Sequence, residues 1–498
     1  MQLRRLPETR AAGDEVWFRP ALDTLRRLPH EPDSRLHDYF SATEPVYVAR
    51  APGRLDVMGG IADYSGALVL ELPLARSTSV CLQPQEASSC DVVSRRDGRW
   101  HRFSIELEPL LAGALREPRA LASWFANRAN DRWAAYPLGV VQRCLALARG
   151  APSGLHLPGV RILIDSTVPE GKGVSSSAAL EVATMAVVAA WCDIAMTPVA
   201  LATACQWVEN RIVGAPCGIM DQMTSACGRK DRLLRLRCQP DTIEGHVEIP
   251  PGYRCYGIDS GVRHAVTGAD YATVRTAAFM GYRMIADTAG LTVTGHGSNL
   301  RIDDPLWRGY LANLTPAEFT ARFESLLPDD VLGAAFLERY GGTTDRVTCV
   351  QPERRYPVRQ ATAHPVFEQE RIARFAGLLD ALPHRPESAV ELGELMYASH
   401  ASYGACGLGS DGTDRLVEQV AAAGVERGLF GAKITGGGSG GTVAILGTAA
   451  AEPLVRDIAA HYAAETGRTA EVFAESGPGA AETGVLFIEP NGLAALSR

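Results

Sequence analysis

Val160-Arg161-Ile162-Leu163-Ile164, followed by Pro169-Glu170-Gly171-Lys172-Gly173-Val174-Ser175-Ser176-Ser177-Ala178-Ala179 and an unbroken Ala-, Val- and Met-containing run to Cys192, decides the fold. The β-branched first run reads as a strand. The breaker-free last run reads as a buried helix. Between them, glycines let the backbone approach an anion closely. The new helix points free N–H groups and its positive dipole end at the same place. Three serines add hydroxyl donors, and one could ligate magnesium. The loop therefore reads as a phosphate cradle built from Gly171, Lys172, Gly173, Val174, Ser175, Ser176, Ser177 and Ala178. It is not a Walker A loop, because Lys172 is followed by Gly173 rather than by Ser or Thr. A turn with a serine N-cap is the plainer alternative.

Outward from this unit, Val46–Ala49 reads as a strand that ends at Ala51-Pro52-Gly53, and residues 67–84 are strand-rich. Helical spacing covers 138–149, about 198–213 and 366–425. Residues 252–259 read as a strand, and 432–446 as strand, glycine turn, strand. Strands and helices mix without regular βαβ alternation, which favours α+β over a doubly wound sheet. Three segments are expected: a polar N-terminal extension over 1–40, helical or irregular, a domain over 41–230, and a domain over 231–498. The last carries an insertion at about 290–362, where Pro and Gly interrupt any period.

The 498 residues are 46% hydrophobic, enough for a large core, and the formal net charge is -8. That balance speaks against nucleic acid or an anionic membrane as the main partner. It leaves room for a phosphate site, since backbone N–H groups hold phosphate without net positive charge. The eleven cysteines include no Cys-x-x-Cys pair, so buried free thiols are expected rather than bridges or a zinc site. No apolar run approaches the roughly 18 residues needed to span a bilayer, and a soluble cytoplasmic protein is the expectation.

Two further glycine-rich segments carry chemistry. Lys433-Ile434-Thr435-Gly436-Gly437-Gly438-Ser439-Gly440-Gly441-Thr442 matches Gly-x-Gly-x-x-Gly formally. A β-prone run follows where a dinucleotide fold needs a helix. Gly436, Gly437 and Gly438 therefore read as a loop beside a phosphate or a substrate, with a bare hairpin turn as the alternative. The segment 51–66, Ala-Pro-Gly-Arg-Leu-Asp-Val-Met-Gly-Gly-Ile-Ala-Asp-Tyr-Ser-Gly, places Arg54 and Asp63 in one turn-rich stretch. A cation there can steady a phosphoryl group, and a carboxylate can accept sugar hydroxyl protons.

In order and spacing the three segments resemble the GHMP kinase superfamily, from about residue 45 to the C-terminus. The galactokinase branch is most similar, through Ala51-Pro52-Gly53-Arg54, the segment Gly214 to Gln222, and Leu395-Met396-Tyr397-Ala398-Ser399-His400. The resemblance implies a two-domain GHMP kinase fold. Its N-terminal domain has a mixed sheet with helices, and its C-terminal domain is α/β and sandwich-like. It implies ATP and Mg2+ as cofactors and a small sugar as partner. Asp221 would orient, or take the proton from, an anomeric hydroxyl, and Arg54 would sit beside it. Ser177 and Glu209 would hold magnesium, an ion that prefers oxygen ligands. Asp63, Tyr64, Gly218 and Tyr271 would border the sugar. The match around Asp259 to His264, and at Arg275, is looser.

Galactokinases carry Gly-Glu-His-Thr-Asp-Tyr in the first motif, whereas this chain has Gly59-Gly60-Ile61-Ala62-Asp63-Tyr64. In that branch the Glu and His lie near the sugar's C6 hydroxymethyl group. Here Gly60 and Ile61 stand in their places. A buried hydroxyl that loses its partners costs about 1–3 kcal/mol. L-Arabinopyranose keeps the ring hydroxyl pattern of galactopyranose and lacks C6. Ile61 would fill the vacated volume, and the motif resembles that of L-arabinokinases. The expectation is phosphorylation of L-arabinose at its anomeric hydroxyl. The alternatives are galactokinase or another sugar 1-kinase, and a non-catalytic sugar and ATP sensor.

Overall fold

The computed structural model describes residues 3–6, 14–96, 98–148, 159–263 and 269–496. A nine-stranded sheet organises the N-terminal half. Its strand order is Leu3–Leu6, Val485–Ile488, Val46–Met58, Leu68–Gln85, Gly159–Ser166, Ser89–Arg96, Arg99–Glu106. The hairpin Arg232–Arg237/Thr242–Glu248 branches from Leu68–Gln85. Pairing is antiparallel except between Ser89–Arg96 and Gly159–Ser166, so the sheet is mixed.

Strand periodicity sorts the core. Val80, Leu82, Ile162 and Ile164 face one way and bury against helices Ala135–Ala148, Ser176–Trp191 and Pro198–Val208. Cys81, Leu163, Val46 and Val48 face the other way and are covered by Phe18, Ala21, Leu22 and Leu25. The helix Arg19–Arg27, within the expected helical or irregular N-terminal extension, is therefore part of the core.

The second sheet has four antiparallel strands, in the order Leu429–Ile434, Thr442–Thr448, Tyr253–Asp259, Val472–Phe473. Tyr256, Ile258, Val443 and Ile445 pack against helices Asp411–Ala423 and Glu452–Thr466. Cys255, Ala444 and Leu446 join the cluster of helices Val358–Ala381 and Ser388–Ala405. The expected sandwich is thus helix on sheet on helix.

The structure adds three details. By strand pairing the first sheet runs on past residue 230 to the strand Thr242–Glu248, the second sheet takes in Tyr253–Asp259, and Val485–Ile488 returns to the first sheet. Val46–Met58 is one strand through Ala51-Pro52-Gly53, with register shifts between Pro52 and Arg54 and between Asp56 and Met58. The irregularities accommodate the proline, which has no ladder N–H. Only Gly60–Ser65 forms the turn, as a 3-10 helix. Residues 290–362, expected as an insertion or a looser helical region, hold regular elements. They contain four short strands in two antiparallel pairs and helices Pro316–Arg322 and Gly333–Tyr340, and their apolar residues Trp307, Phe319, Phe323 and Phe336 share a cluster with Ile61. All eleven cysteines are free thiols. No helix among the described residues is long and apolar enough to cross a membrane.

Candidate active site

Seven segments meet at a cleft between the sheets: the strand Val46–Met58, the turn after it, the loop 171–177, the stretch 209–221, the loop 435–441, and the first turns of helices Ala135–Ala148 and Ala269–Thr288. The cleft is walled by Arg54, Asp63, Tyr136, Gly171, Gly173, Ser175, Ser176, Ser177 and Glu209, together with Ala215, Pro216, Cys217, Gly218, Met220, Asp221, Tyr271 and Gly437.

Loop 171–177 takes its shape from glycines at φ 70° and 69°, Gly171 and Gly173, and from Ser175 at φ 59°. Ser175 caps helix Ser176–Trp191 without a side-chain bond, and its buried Oγ has no partner. The helix start is thus free to receive a ligand, in a wall that also carries Ser176 and Ser177. Val174 and Ala178 are fully buried and support the loop from behind. The Lys172 ammonium does not enter the cleft. It pairs with Asp259 at 2.6 Å, while Thr442 donates to the Lys172 carbonyl at 2.8 Å. Lys172 therefore ties the loop 171–177 to the second sheet, through Asp259 and Thr442.

Arg54 is the hinge of the site. Its Nε and Nη2 reach Asp221 Oδ1 at 2.9 and 2.8 Å, and its Nη1 donates to the Gly173 carbonyl at 2.6 Å. Glu71 Oε2 lies 3.3 Å from Arg54 Nε without a hydrogen bond. Burial opposes the Arg54 charge, yet Asp221, Glu71 and Asp56 together raise its pKa further above the usual arginine value. Burial, and then Asp56, push the Glu71 pKa well up, while Arg54 opposes the shift. Asp221 lies in the first turn of helix Met220–Cys227, where the dipole also favours a carboxylate.

Glu209 opens a π-helical turn, Glu209–Val213, that ends the helix Pro198–Val208. Gln222 Nε2 donates to Glu209 Oε2 at 2.5 Å. Burial, and then Asp221, raise the Glu209 pKa to about 7, against hydrogen bonds from Ser177, Cys217 and Gln222. A hydroxyl beside a buried carboxyl, with a second carboxylate nearby, is a hard-oxygen set that suits Mg2+.

On the opposite side, Asp63 is buried and its Oδ1 has no partner. Burial, then Asp221, raise its pKa to about 7, while Arg275 opposes the shift. Gly218 has to be glycine, since a Cβ there would lie 1.6 Å from Asp63 Oδ2. Tyr271 lines the cleft, and Tyr64 packs edge-on against it at 5.8 Å. Arg275 stands behind this wall. It is held by both oxygens of Asp345 at 2.8 and 2.9 Å and donates to the Cys217 carbonyl at 3.1 Å.

Gly60 and Ile61 do not line the cleft. Both are buried, and Ile61 has no exposed surface. Tyr64, Gly436 and Gly438 also stand behind the walls. Gly436 is close enough to Arg54 that a Cβ would lie 2.9 Å from Nη2. His264 lies outside the described residues. Sequence reasoning missed Tyr136, Asp345 and Tyr403. Their neighbours are remote in sequence, and no local spacing marks them.

A glycine loop at a helix start thus faces an Arg-paired Asp and a Glu/Ser oxygen pair across a cleft between the two sheets. The pattern of the GHMP kinases N terminal domain matches residues 136–229, that of the GHMP kinases C terminal matches 378–464, and a galactokinase galactose-binding signature matches 35–84. A galactokinase of Chloroflexus aurantiacus is 30% identical over 85% of this chain and 90% of its own length. The chain belongs to the GHMP kinase family, in its galactokinase branch. An L-arabinokinase of Arabidopsis thaliana is 40% identical over 90% of this chain, which spans 47% of the plant protein's length. Lactococcus lactis galactokinase, solved in complex with galactose, shares the fold with a TM-score of 0.66 at 20% identity, covering 87% of this chain and 94% of that one.

Proposed function

We propose that this chain is an ATP-dependent sugar 1-kinase that phosphorylates the anomeric hydroxyl of L-arabinose, giving β-L-arabinose 1-phosphate and ADP. The observation that carries the kinase reading is the Arg54–Asp221 pair, standing in the same cleft as the open helix start at Ser175–Ser177. The anomeric oxygen attacks the γ-phosphorus, the bond to the ADP oxygen breaks, and Asp221 receives or orients the hydroxyl proton. Arg54 stabilises charge on the transferring group, and its bond to Gly173 keeps it aimed along the loop. Ser177 and Glu209 would hold Mg2+, which supplies charge neutralisation at the phosphates when bound. Asp63, with its free oxygen, accepts a ring hydroxyl.

The pentose reading rests on Gly60 and Ile61, which offer no polar side chain where galactokinases have two. Similarity to the plant L-arabinokinase supports the same choice. Galactose is the main rival, favoured by the galactose-binding signature over 35–84. Measuring ADP release with a sugar panel, ATP and magnesium decides between them. A clear preference for galactose removes the L-arabinose assignment and keeps the kinase, and no turnover with any sugar removes both.

A further inference from the structure

Gly60 is left-handed at φ 47°, and a Cβ built there would lie 1.6 Å from the Tyr403 hydroxyl and 2.8 Å from Asp56 Oδ2. That hydroxyl accepts from Ile61 N at 2.8 Å and donates to the Gly436 carbonyl at 2.9 Å. Asp56 completes the stitch. It accepts from Gly60 N at 3.0 Å, Lys433 Nζ at 2.7 Å and Gly436 N at 3.1 Å. Tyr403 has no exposed surface and does not line the cleft.

A phenylalanine would fill the same apolar cluster, so packing alone does not call for a hydroxyl here. The hydroxyl bridges two loops, the turn 59–66 and the glycine loop 435–441. It fixes the first residues of the 3-10 turn Gly60–Ser65, which carries Asp63 into the cleft. It also occupies the space that any side chain at position 60 would need.

We infer that Tyr403 is a specificity-determining positioning residue: its hydroxyl excludes a side chain at position 60 and locks the sugar turn in the form that takes a pentose. The inference rests on the substrate reading above. Residues 60 and 403 then act as a matched pair, and changing position 60 alone cannot build a hexose site.

The test uses the full chain with Tyr403→Phe, Gly60→Glu, Tyr403→Leu and the double Gly60→Glu/Tyr403→Leu, assayed on L-arabinose and D-galactose. Tyr403→Phe is expected to raise the sugar KM about tenfold while kcat and the ATP KM stay within about twofold, a split that a merely structural loss would not produce. Gly60→Glu alone is expected to lose about a hundredfold on both sugars. The double is expected to regain at least about tenfold on galactose relative to that single variant, a non-additivity that reports contact. Should Gly60→Glu not fold, the Tyr403→Phe split decides alone. The inference is overturned if Gly60→Glu matches the double, or if Tyr403→Phe leaves the sugar KM unchanged or shifts both KM values together. A wild-type preference for galactose sinks the substrate reading instead, and the galactose-to-arabinose ratio across the four variants still reports on the pair.

Discussion

The two ends of the cleft are built by different means. The proposed nucleotide end is local. One loop of seven residues and the helix it opens present backbone N–H groups, hydroxyls and a dipole, and Ser175 keeps an unpartnered Oγ there. The proposed sugar end is assembled from side chains far apart in the chain. Asp63 sits against Gly218, Arg275 is clamped by Asp345, and Tyr403 reaches back to Ile61. Phosphate is common to many substrates and needs only close backbone approach. A sugar differs from its relatives by single hydroxyls, and discrimination at that scale needs buried partners fixed from behind. The nucleotide end should therefore respond to mutation as chemistry, and the sugar end as shape and selectivity.

The largest expected effect lies where the two ends join. Asp221→Asn should lower kcat by about a thousandfold, within the range for losing a general base, while calorimetric ATP affinity changes by less than about twofold. Near-normal turnover would remove Asp221 from the reaction and leave the Arg54 pair as a structural bridge. Next is Asp345→Ala on the sugar side. It leaves the buried Arg275 guanidinium without its bidentate partner and should cost about 3–5 kcal/mol in denaturant unfolding. Where the protein remains folded, the sugar KM should rise far more than the ATP KM. Equal changes in both would mean that Arg275 supports the whole cleft. On the nucleotide side, Glu209→Gln should raise the magnesium concentration for half-maximal activity by at least about tenfold, with the sugar KM unmoved. An unchanged magnesium dependence would place the ion elsewhere.

The same contrast explains what could be read from the sequence. The unit 160–192 was legible because strand, glycine loop and helix are contiguous and each follows local rules. The strand–turn–strand at 432–446 was legible for the same reason. Lys172 was legible only as a member of the glycine loop, because its partner, Asp259, belongs to the other sheet. Gly60 and Ile61 stood out as departures from a pattern, but nothing local shows that both are buried behind Tyr403. Residues 290–362 lack a period because their apolar residues serve several short elements that pack on Ile61 and on helix Ala269–Thr288. The return of Val485–Ile488 to the first sheet is a tertiary pairing with Val46–Met58, and neither strand signals it alone.

The smallest effect is a pH dependence that separates the stability of the sugar end from its function. Burial raises the Asp63 pKa from the model-compound value of 3.8 to about 7. A carboxyl whose folded pKa lies above its unfolded value stabilises the fold fully below the unfolded pKa. That contribution is lost as pH rises through the folded one. The unliganded protein should therefore lose thermal stability between about pH 4 and 7 from this group, with Glu209 adding to the trend. Sugar recognition runs the other way, because accepting a hydroxyl proton needs the carboxylate. With magnesium and ATP saturating, kcat/KM for the sugar should fall about tenfold per pH unit below 7 and level off above it. Asp63→Asn should flatten that limb and weaken sugar binding throughout, and its melting temperature should gain on the wild type more at pH 8 than at pH 5. If the variant keeps the acid limb, the titrating group lies at the nucleotide end, and Asp63 holds the sugar turn without sensing the proton.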